Sequence, residues 1–141
     1  MLQIDTIKQT LPNSLLVTAS DQGCRITAQD GDFIADIELD KGRLYTSIDL
    51  LTTRYSDLDV SEDDIDNLIS SYEEAFFSAY FPSWKKAGFF FEGVEDASAD
   101  PNYIMVTARL EAVCADEKTV GILLEYIREH LDDASGTISF L

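Results

Sequence analysis

From residue 14 to residue 50 the chain alternates apolar and polar side chains with little interruption. Residues 14–20 read as a first strand. Cys24, Ile26 and Ala28 then alternate with Arg25, Thr27 and Gln29. Phe33, Ala35, Ile37 and Leu39 follow, with Asp36 and Glu38 between them, and Leu44, Thr46, Ile48 and Leu50 alternate with Arg43, Tyr45, Ser47 and Asp49. A period of two buries one face of a sheet and wets the other, the habit of antiparallel strands. The runs are separated by Asp21-Gln22-Gly23, Asp30-Gly31 and Asp40-Lys41-Gly42. Asp-Gly suits a two-residue hairpin, and the Asp-x-Gly triplets suit three-residue turns with glycine in the left-handed region. The pattern predicts a four-stranded meander. Ahead of it, Ile4, Ile7 and Leu11 share one face of a short helix that ends at Pro12-Asn13.

After a polar connection over 52–60 the period changes. Ile65, Leu68, Ile69, Tyr72, Phe76, Ala79 and Tyr80 recur at helical spacing and form one broad apolar stripe. Ser61 is placed to cap this helix, with Asp64 as the short-armed partner of a capping box. Pro82 is expected to stop it. Phe77 and Phe81 lie off the stripe and Trp84 follows the break, so the helix end is aromatic nearly all round.

Behind the proline, 88–95 reads as a strand with Phe89, Phe90 and Phe91 on both faces. The next strand, 103–114, sets Ile104, Val106, Ala108, Leu110, Ala112 and Cys114 against a more polar alternate set. Asp116 caps a last helix with the stripe Val120, Leu123, Leu124, Ile127 and Leu131, and Gly136 is its expected stop. Ile138 and Phe140 around Ser139 suggest a short strand over 137–141. The predicted class is therefore a single α+β domain over 1–141. It has a four-stranded antiparallel meander and two or three further strands, packed against one long central helix and two terminal helices.

Composition changes this picture in one respect. The 141 residues are 45% apolar and 11% aromatic, enough for a core without disulfide or metal staples. Yet 27 acidic residues face 10 basic ones, for a formal charge of −17. Such a surface repels a phosphate backbone, so direct nucleic-acid binding is not expected, while basic proteins are suitable partners. No run approaches the roughly 20 apolar residues that cross a bilayer, so no membrane partner is expected. The opening Met-Leu-Gln-Ile-Asp lacks the basic and apolar regions of a secretory signal, and cytoplasm is the expected compartment. Cys24 and Cys114 both fall on apolar strand faces, which suits buried free thiols; a disulfide between them stays open at this point.

No catalytic constellation is found, and neither a cofactor nor a metal is expected. The sequence has no Gly-rich phosphate loop, Cys-x-x-Cys pair, Gly-x-Ser-x-Gly elbow or His-Glu-x-x-His helix. His130, the one histidine, falls in the last turn of a helix, where its charge suits the dipole. Asp57, Asp59, Glu62, Asp63, Asp64 and Asp66 form the densest acidic run, without the spacing of a calcium loop. They are read as an acidic surface for a basic partner or as a solvated helix start. Phe76, Phe77, Tyr80, Phe81 and Trp84 are read as either core or a partner and dimer surface.

The order of elements resembles that of class I chaperones of bacterial type III secretion and the related fold of the YbjN type. Those are small acidic proteins with a leading helix, a strand meander, a central helix, two more strands and a closing helix. The resemblance covers nearly the whole chain in element order, size and charge, and it matches no motif residue for residue. This chain has four strands before the long helix where secretion chaperones usually have three. The resemblance implies a non-enzymatic protein-binding module that forms a homodimer through its central helix. The rival expectation is an acidic inhibitor, either a toxin-immunity protein or a nucleic-acid mimic.

Overall fold

The structure, a computed structural model, describes residues 1–131. Its chain order is α1 (Ile4–Thr10), β1 (Leu15–Ala19), β2 (Gly23–Ala28), β3 (Phe33–Glu38), β4 (Arg43–Arg54), α2 (Ile65–Ala79), α3 (Phe81–Ala87), β5 (Phe89–Asp96), β6 (Tyr103–Val113) and α4 (Glu117–His130). The strands form one antiparallel sheet in the order β1-β2-β3-β4-β6-β5. The meander is therefore as the alternation predicts. The two late strands join as a hairpin, with β6 against β4 and β5 at the edge. The expected strand at 137–141 and the stop at Gly136 lie outside the described residues.

The two central strands carry the core. Leu44, Thr46, Ile48 and Leu50 on β4 and Ile104, Val106, Ala108, Leu110 and Ala112 on β6 are all buried. Thr46 is tolerated there because its hydroxyl donates to the Ile34 carbonyl oxygen at 2.7 Å. The stripe of α4 closes over this layer with Val120, Leu123, Leu124 and Ile127 buried, and Ile7 of α1 is fully buried beside it. The opposite sheet face is wet and held by cross-strand ion pairs, Arg25–Asp36 at 2.9 Å and Arg43–Glu111 at 2.9 Å among them.

Several local expectations are corrected. The long helix does not run unbroken to a stop at Pro82. It ends at Ala79 with Tyr80 as its cap, still donating its N–H to the Phe76 carbonyl oxygen, and Pro82 then sits in the first turn of α3, where a missing N–H costs nothing. The capping box at Ser61 does not form. The Ser61 hydroxyl donates to the Asp64 carboxylate at 3.0 Å, so neither group takes a backbone N–H, and a 3₁₀ turn over Glu62–Asp64 precedes the helix. Asp116 does cap α4, accepting from the Thr119 N–H at 2.8 Å.

The turns also differ in length. The Ser20 N–H donates to the Gly23 carbonyl oxygen, which leaves only Asp21 and Gln22 between the strands. The Ala28 N–H donates to the Asp32 carbonyl oxygen, so the Asp30-Gly31 turn spans three residues instead of two. Gly42 takes the left-handed conformation expected of it, φ 63°. Gly23 does not; glycine is required there because a Cβ would stand 1.7 Å from the Ile37 carbonyl oxygen. Finally, β4 consumes part of the expected polar connection, pairing with β6 as far as Arg54 and Tyr103.

Candidate interaction surface

Where α2 breaks, the chain turns back onto the edge strand β5, and nine ring side chains gather. Phe76 lies over Phe91 with centroids 5.6 Å apart. Phe77 meets Phe81 at 5.5 Å and Phe91 at 5.6 Å. Deeper in, Trp84 contacts Phe89 edge-on at 5.1 Å and Tyr126 at 5.0 Å, and His130 closes on Tyr126 at 4.2 Å. Offset and edge-on rings at these separations contribute about 0.5–1.5 kcal/mol per pair beyond the burial itself. The corner is a rigid aromatic block.

Of the five aromatics singled out from the sequence, Phe76, Phe81 and Trp84 are buried within the single chain. Tyr80 is half-buried. Phe77 is 53% exposed, a large apolar ring held against a solid aromatic floor. On the wet face of the same strand, Phe90 is 58% exposed. The corner thus presents one exposed phenylalanine on each side of edge strand β5. Sequence reading missed Phe89, Phe91, Tyr126 and His130 as members. The consecutive phenylalanines 89–91 were the available signal for the first two; Tyr126 stands beside the α4 stripe and gave none.

The helix leading to this corner is incompletely covered. Among its stripe residues only Tyr72 and Phe76 are buried, while Ile65, Leu68, Ile69 and Tyr80 are half-buried. An amphipathic helix with a continuous stripe normally hides that stripe.

The acidic run occupies the other end of the helix. Asp57, Asp59, Glu62, Asp63, Asp64 and Asp66 are all exposed. Asp66, the last of them, and Phe76, the first ring of the corner, stand ten residues apart on α2, about 15 Å along its axis. The acidic run and the aromatic corner are therefore apart, although the half-buried stripe of α2 begins at Ile65, inside the run. Arg25, Lys41, Arg43 and Arg109 are bound to Asp36, Glu38, Glu111 and Glu95, and no ion pair among the described residues reaches the run.

The reactive groups elsewhere are in quiet settings. Cys24 and Cys114 are free and buried. Cys24 is on β2 and Cys114 just beyond β6, three strand spacings or about 14 Å away, which excludes a bond between them. Burial pushes the Cys114 thiol up to about 11, with Asp116 adding to it, and burial also raises Cys24, beside Asp36. Neither is poised as a nucleophile. Glu92 and Glu111 share the wet face, and Glu92 is raised by partial burial and by its bond to Glu111. Among the described residues, no three His, Cys, Asp or Glu side chains converge to hold a metal. No described helix is long and apolar enough to cross a membrane.

Comparison with known proteins finds no family model, no curated protein and no solved structure that matches this chain.

Proposed function

We propose that this chain is a non-enzymatic protein-binding module that self-associates through α2 and the aromatic corner. The observation that carries the reading is Phe77, exposed by 53% yet fixed by Phe81 and Phe91. A rigid exposed ring over a packed base loses little side-chain entropy on contact, which is the usual character of an interface anchor. The half-covered stripe of Ile65, Leu68 and Ile69 continues the same surface along the helix. Tyr80 and the buried Phe76, Phe81 and Trp84 act as its support. Hydrogen exchange measured against protein concentration tests it. Protection over 65–80 and 89–91 rises with concentration if the helix is an interface, and concentration-independent exchange refutes self-association there.

A second reading rests on the acidic run, which is exposed and takes part in no ion pair among the described residues. On that reading the chain is an acidic inhibitor of a basic protein, held by charge. Its binding then weakens steeply with salt, because exposed charges are screened beyond about 8 Å at physiological ionic strength. An aromatic contact keeps its strength.

A further inference from the structure

A cleft of about 920 Å³ lies away from the aromatic corner, at the end of the sheet where β4 ends and β6 begins. Its floor is the last rung of the central ladder, Arg54 opposite Tyr103. The Tyr55 N–H fastens the next residue to the Asn102 carbonyl oxygen at 3.0 Å. The loop behind is equally fixed. The Asp100 carboxylate accepts from the Asn102 N–H at 2.9 Å, and Asp96 takes the Tyr55 hydroxyl at 3.1 Å and the Met105 N–H at 3.0 Å. Glu62, Ile65 and Asp66, around the start of α2, complete the lining.

Arg54 is one of two arginines with no ion pair among the described residues; the other, Arg128, donates a terminal nitrogen to the Ser14 hydroxyl at 3.2 Å. Arg25, Arg43 and Arg109 each reach a carboxylate. Arg54 instead donates through Nε to the Tyr103 hydroxyl at 2.9 Å, with its guanidinium carbon 5.6 Å from that ring's centroid. No ion pair among the described residues uses its terminal nitrogens, in a chain with 27 acids. Nε is occupied and the ring orients the plane, so the two terminal nitrogens form a preset fork. A guanidinium fork fits a carboxylate bidentately.

The charge of the rest of the chain selects among carboxylate ligands. A simple anion approaches against a net −17 and against Glu62 and Asp66 in the same lining. A zwitterion meets no net repulsion at long range and gives both the guanidinium and the carboxylates of the lining a partner. We propose that this cleft binds a small zwitterion carrying a carboxylate and an ammonium group, an amino acid or short peptide. Arg54 takes the carboxylate, and Glu62 and Asp66 take the ammonium.

The test is amide-resolved NMR titration of the whole chain with glycine, 4-aminobutanoate and 6-aminohexanoate, against hexanoate and hexylamine as single-charge controls. At least one zwitterion is expected to shift amides over 54–66 and 101–103. Both controls are expected to bind about tenfold more weakly or less, the loss of one charge-assisted contact. Arg54→Gln is expected to abolish the shifts, and Arg54→Lys to recover them only in part, while amide shifts elsewhere report that each variant is folded. Silence from all three zwitterions overturns the proposal. So does hexanoate binding as tightly as the zwitterions, or undiminished binding by folded Arg54→Gln.

Discussion

The rings of Phe77 and Phe91 lie 5.6 Å apart, one near the end of α2 and the other on edge strand β5. Phe91 also carries Phe76 and Phe81, so a single strand residue fixes the whole break between the two helices. The exposed ring and its buried support are therefore separable by mutation. Phe76→Ala removes a fully buried ring and costs about 3–5 kcal/mol of stability. Phe77→Asp costs about 1 kcal/mol, the stacking of one half-exposed ring. Chemical denaturation of both variants measures the difference; equal losses mean that Phe77 is core.

Two glycines give opposite results on substitution. Gly23→Ala forces a methyl onto the Ile37 carbonyl oxygen and destabilises by about 3 kcal/mol. Gly121→Ala, inside α4 with open space around it, stabilises by about 0.5–1 kcal/mol. Thermal melts of the pair report the sign directly.

The thiols are predicted to be silent in the folded chain. An aromatic disulfide reagent at pH 8 labels neither Cys24 nor Cys114 until denaturant is added, because both are buried and their thiolate forms are disfavoured. Rapid labelling of either in native buffer contradicts the packing.

Asp96 sets a pH dependence with a definite sign. Burial alone raises its pKa, but bonds from the Met105 and Ser98 N–H groups and the Tyr55 hydroxyl outweigh it and leave the group lowered. A lowered folded-state value contributes stability that is present above the ordinary carboxylate range and lost as pH falls through the folded value. Glu92, raised in the folded chain, acts the other way: it favours folding below the ordinary glutamate value and loses that contribution as pH rises through its folded value. Asp96→Asn therefore flattens the acid limb of a denaturation series run from neutral pH downward. An unchanged acid limb shows that Asp96 is not the group lost.

The sheet was legible because its signal is local. Alternation along 14–50 and 103–114 placed the buried residues of β4 and β6 on the correct face except Thr107, which is buried although it belongs to the alternate set, and Asp116 was recognisable as a cap from its position before the α4 stripe. The failures come from contacts that no local pattern encodes. Gly23 looked like a turn glycine, but its constraint is the Ile37 backbone across the ladder. Ser61 and Asp64 have capping chemistry, but they bond to each other. The aromatic corner was legible in part. Its helix residues were visible as an excess over the stripe, whereas which ring stays exposed depends on Phe91, folded back from the next strand. The Arg54 cleft was invisible, since it joins the last residues of β4, the first of β6 and the start of α2, which are far apart in sequence.

The mass in solution by light scattering, at low and at high salt, tests the self-association most directly. The expected result is the mass of two chains at both ionic strengths, because an interface of half-buried apolar residues and Phe77 is not screened. Phe77→Asp is expected to give the mass of one folded chain under the same conditions. A wild-type mass of one chain at both salts contradicts the account, and leaves Phe77 an exposed ring with no partner of its own kind.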